Sequence, residues 1–135
     1  MRWLVLLLLL PGAAWAQDVR TYDRTGALTG SRHTAPNGDA RFYDRTGRPT
    51  GSARRQGGET RFFDETGAPA GFARQDGDVT RFYDRTGAPT GTERRDAFGR
   101  RAYDRTGRQV GSERRDPAGT TRFYDRSGRL EGSAR

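Results

Sequence analysis

An aromatic residue followed by Asp recurs six times, at Tyr22-Asp23, Tyr43-Asp44, Phe63-Asp64, Tyr83-Asp84, Tyr103-Asp104 and Tyr124-Asp125, in steps of 21, 20, 20, 20 and 21 residues. A fixed period of this size means that one small supersecondary unit is copied along the chain, and that each copy buries its apolar face against its neighbours. The heptapeptide Arg-Phe-Tyr-Asp-Arg-Thr-Gly stands at 41–47 and returns unchanged at 81–87. A Gly follows each aromatic by four residues and another by eight, and a third drifts in position late in the first five units.

Asp-x-x-Gly after an aromatic is turn chemistry. Asp suits the first position of a type I turn, and Gly takes the left-handed conformation that closes it. The pairs Asp44/Gly47, Asp64/Gly67, Asp84/Gly87, Asp104/Gly107 and Asp125/Gly128 therefore read as structural turns, and each unit as a hairpin with a three-residue loop. In the fourth unit, Asp84 and Ala88 flank the loop. This sets Tyr83 opposite Pro89, Phe82 opposite Thr90 and Arg81 opposite Gly91, leaving a bare patch beside Arg81 and Tyr83. The late Gly reverses the chain toward the next hairpin. The two 21-residue steps carry Pro36 and Pro117 there, so the extra residue belongs to this second turn.

The expected fold class is all-β: a tandem array of six hairpins of about 20 residues, built as an elongated single-layer meander or a short β-solenoid. The units run at about 17–40, 41–60, 61–80, 81–100, 101–121 and 122–135. If flat, twelve strands at ~4.8 Å spacing extend ~55 Å, and the unpaired outer strands invite end-to-end self-association.

Residues 1–16 stand apart from the repeat. Arg2, an apolar run from Trp3 to Leu10, and Ala14-Trp15-Ala16 form a secretory signal peptide, expected to be a helix and to be cleaved between Ala16 and Gln17. The run is far shorter than the ~20 residues of a membrane span. The domain is then 17–135, exported to the periplasm or the medium, with the look of a bacterial protein and no membrane span once the signal is removed. There is no Cys, hence no disulfide.

Composition alone points toward disorder. Residues 17–135 hold only twelve Leu, Ile, Val or Phe, well under the ~20% below which a charged chain cannot bury enough apolar surface. Pro49, Pro69 and Pro89 each remove a ladder donor near the start of a second strand. The repeat is what argues for a fold. All 25 basic residues are Arg, a choice that GC-rich coding also produces, but exposed guanidinium groups attract anions whatever their origin.

Catalytic constellations are missing. His33 is the one His, and with no Cys the zinc and nucleophilic sets cannot be assembled. The repeated Asp residues lack the oxygen-rich spacing of calcium loops, and their turn role accounts for them. The sequence predicts a non-enzyme with no cofactor and no metal. One positive feature remains. Arg41, Arg61, Arg81, Arg101 and Arg122 each stand two residues before Tyr43, Phe63, Tyr83, Tyr103 and Tyr124, and residues i and i+2 of a strand share a face. Such a face either covers its own rings with Arg or binds an external polyanion or partner.

The segments Gly-Glu-Thr-Arg-Phe-Phe-Asp-Glu-Thr-Gly at 58–67 and Thr-Thr-Arg-Phe-Tyr-Asp-Arg-Ser-Gly at 120–128 resemble the YD repeats of rearrangement-hot-spot proteins, over essentially the whole of 17–135. The match departs in having one residue between Thr and the aromatic pair, and in the "GRPTG" or "GAPTG" that follows the turn. The family's toxin-enclosing shell does not carry over to so short a chain. "RFYDRTGRPTG" is also similar to the bacterial variant of membrane-occupation-and-recognition-nexus repeats, which implies single-layer hairpin sheets. Choline- and glucan-binding wall repeats share the period, but their Trp cages have no counterpart after residue 15. The functional expectation is a structural or interaction module of the cell envelope that docks a protein partner, or else a binder of anionic polysaccharide, lipid headgroups or extracellular DNA.

Overall fold

The computed structural model describes residues 17–135, and these form twelve antiparallel strands with no helix among them. The segment read as a signal peptide, ending at Ala16, lies outside the described residues. The strands are β1 (Gln17–Asp23), β2 (Leu28–Thr34), β3 (Ala40–Asp44), β4 (Pro49–Gln56), β5 (Glu59–Asp64), β6 (Pro69–Asp76), β7 (Val79–Asp84), β8 (Pro89–Asp96), β9 (Gly99–Asp104), β10 (Gln109–Arg115), β11 (Thr121–Asp125) and β12 (Leu130–Ala134).

The Asp-x-x-Gly turn is built as the residues dictate. In the fourth unit, the Gly87 amide donates to the Asp84 carbonyl at 3.1 Å and the Asp84 amide to the Ala88 carbonyl at 2.9 Å. Gly87 sits at φ 89°, open to Gly and strained for other residues. Gly47, Gly67, Gly107 and Gly128 hold the same place in their units, at φ 86°, 84°, 85° and 85°, each amide donating to the carbonyl of its own turn Asp. The Asp84 carboxylate then fastens the loop, accepting from the Thr86 amide at 2.8 Å, the Thr86 hydroxyl at 2.6 Å and the Ala88 amide at 3.0 Å. The same three contacts recur at Asp44, Asp64, Asp104 and Asp125, with Ser127 standing in for Thr in the last.

The second turns come in two lengths, which explains the uneven period. Gln56 pairs with Glu59 and Asp76 with Val79 across two-residue loops whose first residue is a positive-φ Gly. The extra residue of the Pro36 and Pro117 units makes a longer loop instead, with the Gly38 amide donating to Ala35 and the Gly119 amide to Asp116.

Register confirms one part of the expected pairing and corrects another. Tyr83 faces Pro89, as the loop requires, but Phe82 faces Gly91 and Arg81 faces Thr92. A β-bulge absorbs Thr90, and equivalent bulges occur at the same place in the other units. The bulge increases local twist and slips the register by one. Gly91 therefore belongs to the inward face with Phe82, and the bare patch beside Arg81 and Tyr83 does not exist. Its role is close approach: a Cβ there would lie 2.5 Å from the Tyr103 carbonyl oxygen.

The sheet closes. β12 pairs with β1, so the strands form a complete ring rather than an open meander or a solenoid. Ser133 faces Tyr22 and Gly132 faces Asp23, the register by which Ser31 faces Tyr43 and Gly30 faces Asp44 inside the chain. Arg20 and Arg135 exchange backbone hydrogen bonds at 2.8 and 3.0 Å. The junction of the sixth hairpin with the first is therefore one more copy of the junction between units. Twist accumulated over six similar units brings the ends together, and no edge is left among the described strands for end-to-end pairing.

Inside the ring, the residue before each aromatic of the Asp pair forms one column: Thr21, Phe42, Phe62, Phe82, Ala102 and Phe123. Within each hairpin the second strand sets a Gly opposite it. Two residues further along the strands from this level lie Ala40, Ala53, Ala73, Thr80, Thr121 and Ala134, all buried. Thus the first aromatic of the Phe-Tyr or Phe-Phe pair points into the lumen, and the second faces outward.

Candidate functional site

The outward face alternates aromatic and Arg levels, as the i, i+2 spacing requires. Tyr43, Phe63, Tyr83, Tyr103 and Tyr124 stand there, none of them fully buried, and Arg41, Arg61, Arg81, Arg101 and Arg122 are exposed. Closure turns that column into a belt running around the barrel. Register adds a second set that the sequence reading does not single out: Arg54 faces Arg61, Arg74 faces Arg81, Arg94 faces Arg101 and Arg114 faces Arg122.

The division of labour between the two Arg sets differs from expectation. The guanidinium groups lying on rings belong to the second strands: Arg54 over Phe63 at 5.5 Å, Arg74 over Phe72 at 5.3 Å and over Tyr83 at 6.0 Å, and Arg94 over Tyr103 at 5.9 Å. Phe72 and Tyr83 also stack, with centroids 4.8 Å apart. Acids at the second turns hold three first-strand residues, and Glu59 also holds Arg74 at 3.3 Å. Arg61 Nε lies 3.1 Å from Glu59, Arg101 3.7 Å from Asp96 and Arg122 3.7 Å from Asp116. His33 faces Arg41 across the strand pair and bonds Asp18 through Nδ1 at 2.5 Å on the exposed surface.

A second constellation lies in the lumen. Arg100 of β9 is buried between two carboxylates, with Nη1 3.1 Å from Glu93 Oε1 and Nε 3.5 Å from Glu113 Oε1. Arg32 of β2, four strands round the ring from β10, supplies a second buried positive charge felt at Glu113. Two cations thus face two carboxylates. Burial pushes both Glu93 and Glu113 up to about 7 against the opposing pull of Arg100. It also pulls Arg32 and Arg100 below the ordinary guanidinium range, though a guanidinium keeps its proton in such surroundings.

At the turn rim the opposite holds. The Thr86 hydroxyl holds the Asp84 carboxyl below the usual range, aided by the Ala88 amide, and the other turn aspartates behave alike. The two halves of the turn motif, grouped together on sequence grounds, part company here. Asp64, Asp84 and Asp104 border the open end of the lumen. Gly47, Gly67, Gly87, Gly107 and Gly128 do not, and a Cβ at any of them would meet nothing within 4 Å. These glycines belong to neither the belt nor the lumen, and they serve the chain reversal alone.

The lumen charges are legible only as departures from the repeat. The position two after the second Gly reads Arg32, Ala53, Ala73, Glu93, Glu113 and Ala134. The two hairpins without an inward Phe, β1–β2 at Thr21 and β9–β10 at Ala102, are the two that hold a buried Arg.

No family model matches the chain, and no curated protein matches it. The resemblances to YD and related repeats therefore rest on the residues alone. Among solved structures the chain is similar to alternansucrase in complex with isomaltononaose, at 17% identity and a TM-score of 0.22, over 79% of this chain and 10% of that one. This chain spans about a tenth of that enzyme's length, and a likeness so slight establishes neither fold nor function.

Proposed function

We propose that this is an exported, non-catalytic module of the cell envelope that holds an anionic polymer against the arginine-aromatic belt of its barrel. One observation carries the reading. Four Arg–Arg pairs stand directly opposite one another on the outer face. Like charges so placed destabilise a sheet, each pair by a fraction of a kcal/mol up to about 1 kcal/mol, and the nearby acids meet only one member of each pair, Arg61, Arg74, Arg101 and Arg122. A bound polyanion relieves that repulsion and releases its counterions. Closure also favours this reading over docking through strand edges, because the described ring has none.

Such a belt is unsuited to the interior of a bilayer. Strands of five to eight residues fall short of the ~9–11 of a transmembrane barrel, and Arg on a lipid face costs ~2–4 kcal/mol at the bilayer midplane. Export rests on the leader read at residues 1–16. The test is binding of heparin at low ionic strength against neutral dextran of equal length. Binding of heparin alone is expected, and equal retention of both overturns the proposal.

A further inference from the structure

A ring of twelve strands is wider than its own side chains can fill. Eight strands leave an interior that side chains just occupy, and sixteen leave a channel. Here the lumen holds a cavity of about 1070 Å³, lined by Phe42, Phe62 and Phe82 and opening between turns that include Ala88 and Thr106. Its size comes from the sequence. At the fifth unit Ala102 replaces the inward Phe, and its partners on the two flanking strands are Gly111 and Glu93, so no ring fills that sector of the wall.

Several polar groups line this cavity, Asp64, Asp84, Glu93, Asp104, Arg105 and Thr106 among them, and of these Glu93 alone is buried. Glu93 is buried and contributes to the lining; its Oε1 engages Arg100, whereas Oε2 accepts no hydrogen bond from the protein. A buried acceptor left in this state is costly unless a donor meets it. With Glu93 and Glu113 ionised, above about pH 7, the buried charges balance: Arg32 and Arg100 against Glu93 and Glu113. A charged head group would leave a net charge in a low-dielectric lumen, but a neutral O–H or N–H would not.

We propose that the barrel lumen binds an uncharged amphiphile, an apolar body lying along Phe42, Phe62 and Phe82 with a hydroxyl or amine head donating to Glu93 Oε2. The site is separate from the outer belt, and its occupant needs no negative charge.

The experiment titrates the folded chain with 1-aminoanthracene, a neutral aromatic amine whose fluorescence rises in an apolar site. Saturable enhancement is expected, reversed by 1-dodecanol and not by dodecanoate at equal concentration. Ala102→Phe restores the ring found in the other units and fills the cavity, so it should weaken binding at least tenfold. Thr90→Trp, at the exposed mouth, should do the same and serves if the first variant fails to fold. Glu93→Ala, the residue that Ala53 and Ala73 supply in that column, should weaken dodecanol about tenfold, the loss of one hydrogen bond to a charged group. No enhancement in the parent chain overturns the proposal. So does enhancement indifferent to the cavity-blocking variants, or displacement by dodecanoate as effective as by dodecanol.

Discussion

Ser133 of the last strand stands opposite Tyr22 of the first, in the register that sets Ser31 opposite Tyr43 between neighbouring units. The two side chains share the outer face. Changing both to Cys should therefore let a short bismaleimide bridge them, since opposed residues bring Cβ atoms within ~4.5–5.5 Å, wider than the ~3.5–4.5 Å of a disulfide. Denaturing gels of the monomer should show a compact, faster-migrating band. An open array would instead yield intermolecular dimers.

The glycines should fail for two different reasons. At Gly87 a Cβ meets nothing within 4 Å, so Gly87→Val acts through φ 89° alone and should cost about 1–3 kcal/mol. Gly47, Gly67, Gly107 and Gly128 share that geometry, so Val at any of them should cost a similar amount. At Gly91 a Cβ would meet the Tyr103 carbonyl oxygen, so even Gly91→Ala must push two strands apart. Urea melts should place Gly91→Ala at or below Gly87→Val in midpoint. A Gly91→Ala chain as stable as the parent would contradict the close approach.

These two kinds of position also show how far the sequence reaches. The loop from Asp84 to Ala88 is local chemistry, and its residues dictate it. The bulge at Thr90 recurs at the same place in every unit, but the loop residues alone do not place it, and so they give Gly91 the wrong partner. Closure is hidden for a related reason: every junction between units is the same in an open array and in a ring. The Glu93–Arg100–Glu113 cluster escapes notice because charged residues in an alternating strand read as solvent-facing. Aligning the six units column by column, with Ala102 where four others carry Phe, is the signal that reveals it.

Stability should peak at mildly acidic pH. Glu93 and Glu113 titrate at about 7 in the folded chain against 4.5 ordinarily, so the folded state binds more protons across that window and stability falls as pH rises through it. The turn aspartates act oppositely. Their carboxyls are held below 3.8, and their contribution is lost as pH falls below that value. The Tm at pH 5 should exceed that at pH 8 by on the order of 5–10 °C. Changing Glu93 and Glu113 together to Gln should flatten the alkaline limb. A Tm that climbs from pH 5 to pH 8 would show that Arg100 outweighs burial.

The belt is tested most directly by the salt dependence of heparin binding. The log of the association constant should fall linearly with log salt concentration, with a slope set by the number of anionic groups neutralised at ~0.7–0.9 each. Changing Arg41, Arg61, Arg81, Arg101 and Arg122 to Gln, and in a second chain Arg54, Arg74, Arg94 and Arg114, should leave the β circular-dichroism spectrum in place. Each change should flatten the slope by about 2 or more. If either folded variant binds heparin with the parent's affinity and slope, the belt is a solubilising surface and the proposed function is wrong.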